Sequence, residues 1–252
     1  MTKKTLFILF ILRSFNYLYY IFLSKVYFYA FNENVKYFDI FLINTASFFG
    51  GFITPFKLGI PINIYLIKKL LNIDYYKGAT ISIVSISISF LINLIYSLIA
   101  LMYLQNFIVE LPTLIKVVLL IITLLIVFKL TISIFLKYKT KSITIKRVNE
   151  QYLKIKSNIL RLKVRFLIII PIMISFGILM NAYMFKILLI EFGYTIRIFD
   201  LFIIQSIPSL AGTLSMLPLG ILATDLSYIY LLSKLGISEE VSITVSIIFR
   251  IL

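Results

Sequence analysis

Few residues in this sequence could do chemistry, and three of them are charged residues in apolar surroundings. Lys57 belongs to the segment TPFKLGIP, residues 54–61, and Asp225 ends the segment LPLGILATD, so both stand beside proline and glycine. Arg250 lies in the last apolar run of the chain. A charge in apolar surroundings is costly to leave unpaired. We therefore expect each of these residues to have an oppositely charged partner or a wet cavity beside it.

The rest of the composition excludes several kinds of site. The chain has no cysteine and no histidine, and it has 10 acidic residues in all. A disulfide framework, a thiol nucleophile and the usual zinc or haem ligand sets are therefore excluded. The sequence predicts no metal, no cofactor and no catalytic residue.

The hydropathy of the sequence indicates the environment in which the chain folds, water or a lipid bilayer. Hydrophobic residues make up 61% of the sequence, and its mean hydropathy is +1.05. The runs Gly78–Val109, Phe166–Phe185 and Leu201–Thr224 contain no charged residue, and about 20 residues of helix cross a bilayer core. We therefore predict an all-α polytopic membrane protein, with residues 1–252 as a single integral membrane domain in the cell membrane.

Charge placement predicts the topology. The segment 137–165 is strongly basic, with Glu150 as its one acidic residue, and basic loops stay in the cytoplasm. A cytoplasmic N-terminus, with Lys3 and Lys4, then allows about seven transmembrane helices. The predicted spans are 5–31, from 37, 78–104, 113–136, 166–190, from 198, and 238–252.

The basic segment 137–165 has two readings. It can orient the protein and contact anionic headgroups, or it can bind nucleic acid. Nucleic-acid sites interleave basic residues with stacking aromatic residues, and this juxtamembrane segment lacks that pattern. We therefore expect membrane lipids, and no nucleic acid, as its partners.

An internal repeat links the two proline and glycine breaks. IYLIKKLLNIDYYKGATISIVSI begins at Ile64 and matches IYLLSKLGISEEVSITVSIIFR, which begins at Ile229. The repeat units are 37–104 and 197–252, each an apolar helix, a break, a short lysine-bearing helix and a further span. By charge placement, the two units cross the membrane in the same direction and form a parallel repeat, unless the broken segments are re-entrant. Paired breaks indicate a transporter-like site, whereas the alternative is two loops at the cytoplasmic surface.

The motifs at these breaks resemble a known family. Thr54, Pro55, Phe56, Lys57, Leu58 and Gly59 are followed by IYLIKK, and Pro218, Leu219, Gly220 and Ile221 are followed by Asp225, YLLSKLGIS and Arg250. This pattern resembles the flippase-like membrane proteins, also called the lysylphosphatidylglycerol synthase transmembrane region. Phe56 and Leu219 stand where the family has glycine, and Asp225 stands where it more often has glutamate.

The resemblance implies a lipid-handling protein that flips or presents an anionic or lipid-linked headgroup across the bilayer. A groove between the repeat units would offer positive potential to a phosphate headgroup. The headgroup-binding candidates are Pro55, Lys57, Gly59, Pro61, Pro218, Gly220, Asp225 and Arg250.

Two further classes of function stay open. The chain could be the membrane domain or subunit of a lipid aminoacyl- or glycosyl-transferase system, with a separate synthase or transferase as partner and no catalysis of its own. It could also be a structural partner with a degenerate site, as the missing glycines allow. The sequence leaves the oligomeric state open.

The sequence allows two positions for each of two arginine side chains in the predicted spans. Arg250 could pair with Asp225 if the helix that begins at Asp225 is embedded and slanted, or it could reach the surface. Arg13 could snorkel to the interface or lie in a pocket. Asn93 and Asn181 are expected to form hydrogen bonds between helices.

The first prediction concerns the basic segment. If it only orients the protein, replacing Lys154, Lys156 and Lys163 with glutamine leaves lipid activity near normal, because many basic residues remain. Lipid exchange in reconstituted vesicles measures this. A loss of more than about tenfold, roughly 1.4 kcal/mol, would show instead that the segment recruits anionic lipid.

Overall fold

The structure, a computed structural model, describes residues 2–53, 58–103, 153, 157, 164–215, 220 and 222–251. The predicted span 113–136 and nearly all of the basic segment 137–165 lie outside the described residues. The described elements are all helical, with no strand among them. The helices are α1 (Lys3–Ala30), α2 (Tyr37–Ile53), α3 (Gly59–Leu71), α4 (Tyr75–Tyr103), α5 (Val164–Glu191), α6 (Ile198–Ile204), α7 (Ser206–Leu214), α8 (Ala223–Lys234) and α9 (Glu239–Ile251).

Three of these helices are long and apolar enough to cross a membrane. They are α1, α4 and the segment Arg165–Glu191 of α5, and they correspond to three of the predicted spans. The α2 helix has 17 residues, and α6 with α7 covers Ile198–Leu214. Both are somewhat shorter than the roughly 20 residues that cross a bilayer core, so the second and sixth predicted spans are not among the described helices of crossing length.

The long helices α1 and α5 pack side by side in opposite directions. At one end, the Thr2 amide and the Thr5 hydroxyl donate to Glu191, the latter over 2.8 Å. At the other end, the rings of Tyr29 and Phe166 lie 6.0 Å apart. We name these ends the Glu191 end and the Phe166 end.

The first hairpin, α2 with α3, enters from the Phe166 end and returns to it. The Lys25 ammonium of α1 lies 3.8 Å from the centre of the Tyr37 ring, where α2 begins. Farther along, Asn63 of α3 donates to Ser47 of α2 over 3.1 Å, so the two helices run antiparallel. The chain is back at the starting end when Lys77, at the beginning of α4, pairs with Glu33 at 2.5 Å.

The second hairpin, α6 and α7 with α8, enters from the opposite end. Arg197, just before α6, donates to Tyr103 at the end of α4 over 2.9 Å. Tyr228 of α8 donates to Gln205 over 2.9 Å, which pairs the two limbs in antiparallel directions. The chain is back at the Glu191 end by Ser238, whose amide donates to Tyr194 over 3.2 Å beside the end of α5.

Two apolar cores hold the hairpins, one toward each end. Because lipid is as apolar as these side chains, close packing rather than exclusion from water holds such helices together. Phe202 of α6 packs against both cores. The core toward the Phe166 end includes Phe28, Ile43, Ile67 and Phe166, and the core toward the Glu191 end includes Leu9, Phe185, Leu201, Leu232 and Val245.

This packing corrects the predicted topology in two respects. The prediction placed Lys3, Lys4 and the segment 137–165 on one side, yet Lys3 begins α1 at the Glu191 end while Arg165 lies at the Phe166 end. The repeat units also run in opposite directions rather than in parallel. The physical reason is that the limbs of each hairpin run antiparallel, so a break that the prediction counted within one crossing helix turns the chain back.

Cysteine labelling tests this arrangement, because the chain has no native cysteine. Lys36→Cys and Lys69→Cys lie at the Phe166 end, and Glu239→Cys lies at the Glu191 end, all at exposed positions. In intact cells, a membrane-impermeant maleimide is expected either to label both Lys36→Cys and Lys69→Cys but not Glu239→Cys, or to label Glu239→Cys but neither of the other two. Labelling of Lys69→Cys and Glu239→Cys from the same side would instead restore the parallel repeat.

Candidate functional site

A cavity of about 910 Å³ lies between the two hairpins. Its wall includes Gly51 and Gly59 from the first hairpin and Gly212 and Gly220 from the second. These glycines are where the two limbs of each hairpin come closest, so hairpins that enter from opposite ends meet at the cavity. Side chains of both apolar cores therefore contribute to its wall.

Close backbone contact explains two of the predicted site residues. A Cβ at Gly59 would overlap the Ser47 carbonyl oxygen and lie 3.1 Å from the Gly51 amide nitrogen. Gly220 has a φ of +68°, and a Cβ there would lie 2.9 Å from the Gly212 carbonyl oxygen. Larger residues would push the limbs apart. Gly59 and Gly220 thus line the cavity and let each hairpin close.

A hydrogen-bonded group of small polar side chains forms one wall of the cavity. Asn63 of α3 donates to Ser47 of α2 and accepts from Ser82 of α4, both at 3.1 Å. Asn44 of α2 donates to Ser24 of α1 over 2.9 Å. Polar groups in an apolar body need such partners. Their concentration here gives the cavity one polar wall.

Asp225 and Arg250 form the pair that the sequence predicts. Arg250 Nη1 lies 2.5 Å from Asp225 Oδ2, and the Ser246 hydroxyl donates to Asp225 Oδ1 over 3.0 Å. The Asp225 and Arg250 side chains are 20% and 29% exposed, so the pair is largely shielded. It joins α8 to α9, and the neighbours Thr224 and Phe249 line the cavity whereas the pair does not. The Arg250 charge is thereby offset by a carboxylate.

Arg13 lies in the cavity wall, which decides between its two predicted placements. Its Nη1 donates to Asn181 Oδ1 over a long 3.4 Å, and its guanidinium carbon lies 5.5 Å from the centre of the Phe249 ring. Asn181 Oδ1 also accepts from Asn16 over 2.8 Å, as expected for an interhelical hydrogen bond at Asn181. The ion pairs within the described part of the chain do not include Arg13.

Gln205, between α6 and α7, is a site residue that the sequence analysis missed. Its side chain lines the cavity, and the residue is only 7% exposed. Its Oε1 accepts from the Tyr228 hydroxyl over 2.9 Å, while its Nε2 has no partner within the described part of the chain. The one signal was an amide side chain inside the apolar run LFIIQSIPSL.

The remaining predicted residues do not join this group. Pro61 lies in the first turn of α3, is exposed, and does not line the cavity. That position suits proline because the first helical turn needs no amide donor. Pro55, Lys57 and Pro218 lie outside the described residues. Within the described ranges, no group of acidic side chains is placed to hold a metal ion.

The Asp225–Arg250 pair predicts a measurable coupling. Asp225→Arg and Arg250→Asp are each expected to lower the thermal denaturation midpoint in detergent, and the double exchange is expected to recover much of the loss. A coupling of about 0.5–3 kcal/mol is typical of side chains in contact. The control combines Asp225→Arg with Lys69→Asp, an exposed residue of the first hairpin, because substitutions at distant sites should be additive to within about 0.5 kcal/mol. Equal coupling for the two pairs of substitutions would contradict the shielded bridge.

Comparison with known proteins agrees with the motifs. No curated protein and no solved structure matches the chain. The family model described as the lysylphosphatidylglycerol synthase TM region matches residues 5–252. That match covers both hairpins and the cavity between them. The chain therefore belongs to the lysylphosphatidylglycerol synthase transmembrane region family.

Proposed function

We propose that this membrane lipid-related protein flips an anionic or lipid-linked headgroup across the bilayer through the cavity between the two hairpins. The observation that carries the proposal is a cavity of about 910 Å³, with polar side chains in part of its wall, between hairpins from opposite ends of an apolar helix bundle. A headgroup needs polar surroundings of this kind, because transferring it through lipid alone costs its hydration. The acyl chains would stay in the lipid outside.

Both hairpins are proposed to be re-entrant. The 17 residues of α2 and the 13 residues of α3 span about 25 Å and about 20 Å at 1.5 Å per residue. Each limb is too short for the roughly 30 Å hydrocarbon core. Non-helical backbone at membrane depth is tolerated where it lines a wet cavity. Hairpins that enter from the two sides and meet midway would serve this purpose.

Oppositely directed repeats support alternating exposure of the cavity. In transporters with inverted repeats, the site lies near the midplane at the repeat interface, and one repeat moves against the other. Here the interface is the cavity between Gly59 and Gly220. Movement of the first hairpin would open it toward the Phe166 end, and movement of the second toward the Glu191 end.

The Phe166 end is the proposed cytoplasmic side. Lys36, Lys68, Lys69, Lys77 and Arg165 lie near this end, and the basic segment 137–165 precedes it in the chain. Basic residues close to membrane helices favour the cytoplasm. The cell membrane is the proposed location, and the N-terminus would then lie outside, in contrast to the sequence prediction.

The second candidate is presentation of a lipid to a separate synthase or transferase. The family description, which names a membrane region of a synthase, supports this alternative. In that case the same cavity would hold the headgroup, and the chain itself would carry out no catalysis. Lipid exchange by the purified chain alone would support flipping, whereas turnover that requires an added synthase would support presentation.

Blocking the cavity tests the proposal. Ser89 of α4 lines the cavity, whereas Ser87 of the same helix is exposed outside it. Ser89→Phe is expected to slow exchange of a fluorescent phosphatidylglycerol between vesicle leaflets by at least about tenfold, equivalent to about 1.4 kcal/mol. Ser87→Phe adds the same ring and is expected to leave the rate unchanged. No exchange by the wild-type protein, or equal rates for both variants, would refute transport through the cavity.

A further inference from the structure

We infer that Arg13 and Gln205 form a binding site for a phosphate group within the central cavity. This inference rests on the proposed function, because it names the chemistry of the headgroup in the same cavity. It replaces Arg250, whose charge is offset by Asp225, as the candidate ligand for phosphate. Neither Arg13 nor Gln205 belongs to the two motifs that mark the family in this sequence.

The charge of the cavity is the first observation that supports a phosphate site. Among the described residues that line the cavity, Arg13 is the one with a formal charge. Its nearest acceptor is the neutral Asn181 amide at 3.4 Å, which is beyond the usual hydrogen-bond distance. A charged side chain at membrane depth normally pairs or faces a wet cavity. The cavity therefore has a net positive charge that an anion would neutralise.

The geometry around Arg13 favours a planar, two-pronged contact. The Phe249 ring lies 5.5 Å from the guanidinium carbon, and cation–π contact holds a guanidinium against an aromatic ring. Guanidinium groups present parallel N–H donors that match two oxygens of a phosphate. Held between Phe249 and Asn181, Arg13 would keep its remaining donors available to a ligand.

Gln205 supplies a second donor from another wall of the cavity. The Tyr228 hydroxyl gives its proton to Gln205 Oε1, which leaves the Nε2 amide hydrogens without an acceptor among the described residues. A buried donor without a partner costs about 1–3 kcal/mol, so an acceptor oxygen in the cavity would remove that cost.

Tetrahedral phosphate fits donors that come from different directions. A carboxylate has two oxygens in one plane, and a bidentate guanidinium contact engages both. A phosphate has further oxygens outside that plane. Donors on α1 and at the junction of α6 and α7 line the same cavity, and in the inferred site they contact one phosphate group from two directions.

Binding to the purified full-length chain in detergent tests this site with three probes. Dioctanoyl phosphatidylglycerol carries the phosphate, dioctanoyl glycerol has the same tails without it, and inorganic phosphate has no tails. The variants are Arg13→Gln, Arg13→Lys and Gln205→Met. The matched control is Lys186→Gln, which also removes a cation from a long helix but from a residue outside the cavity wall.

The wild-type protein is expected to bind the phosphate-bearing lipid at least about tenfold more tightly than dioctanoyl glycerol, because a charge-assisted bidentate contact is lost without phosphate. Arg13→Gln is expected to abolish this preference and Arg13→Lys to restore part of it, since lysine keeps the charge but not the fork. Gln205→Met should weaken binding by about threefold to tenfold. Lys186→Gln should change it by less than about twofold.

Several outcomes would overturn the inference. The wild-type protein could bind both lipids equally, or Arg13→Gln and Lys186→Gln could weaken binding alike. Unchanged binding in Arg13→Gln together with intact leaflet exchange would refute the site but leave the proposed function standing. Arg13-dependent binding of inorganic phosphate in preference to the lipid would support the site and contradict a lipid headgroup as its ligand.

Discussion

The structure depends on one constraint, that backbone groups at membrane depth must be satisfied or face a wet cavity. Each repeat unit consists of two helical limbs that fold back on each other. In the proposed re-entrant arrangement, the chain meets the constraint by placing both hairpins beside one cavity whose wall is partly polar. The close contacts at Gly59 and Gly220 make the tight fold possible, and the side chains of Asn63, Ser47 and Ser82 satisfy one another beside it.

Electrostatics follows from the same arrangement. One cation near the second hairpin, Arg250, is paired with Asp225 and ties α8 to α9. Another, Arg13, faces the cavity without a carboxylate among the described residues. The first charge therefore serves the architecture and the second is left for a ligand. Residues of the same type thus have different roles because their neighbours differ, and the position of an arginine in the sequence does not distinguish them.

Part of this arrangement could be predicted from the sequence. The long apolar runs gave three helices of membrane-crossing length, and the contact between Asp225 and Arg250 was one of the two placements that the sequence left open. The direction of the hairpins could not be predicted, because hydropathy does not distinguish one crossing helix from two half-length limbs. The positions of the basic residues predicted that Lys3 and Arg165 lie on one side, whereas they lie at opposite ends of the helix bundle. Gln205 was missed because one amide in an apolar run resembles an ordinary interhelical contact.

The presence of two apolar cores has a mechanical consequence. A protein with one core loses packing throughout when any element shifts, whereas here each hairpin rests on its own set of side chains. Sliding one hairpin would disturb the side chains against which that hairpin packs and leave the packing of the other hairpin largely intact. Phe202 packs against both cores, and its ring lies 5.0 Å from that of Tyr96 on α4. This aromatic contact is therefore one place where displacement of one half would be transmitted to the other.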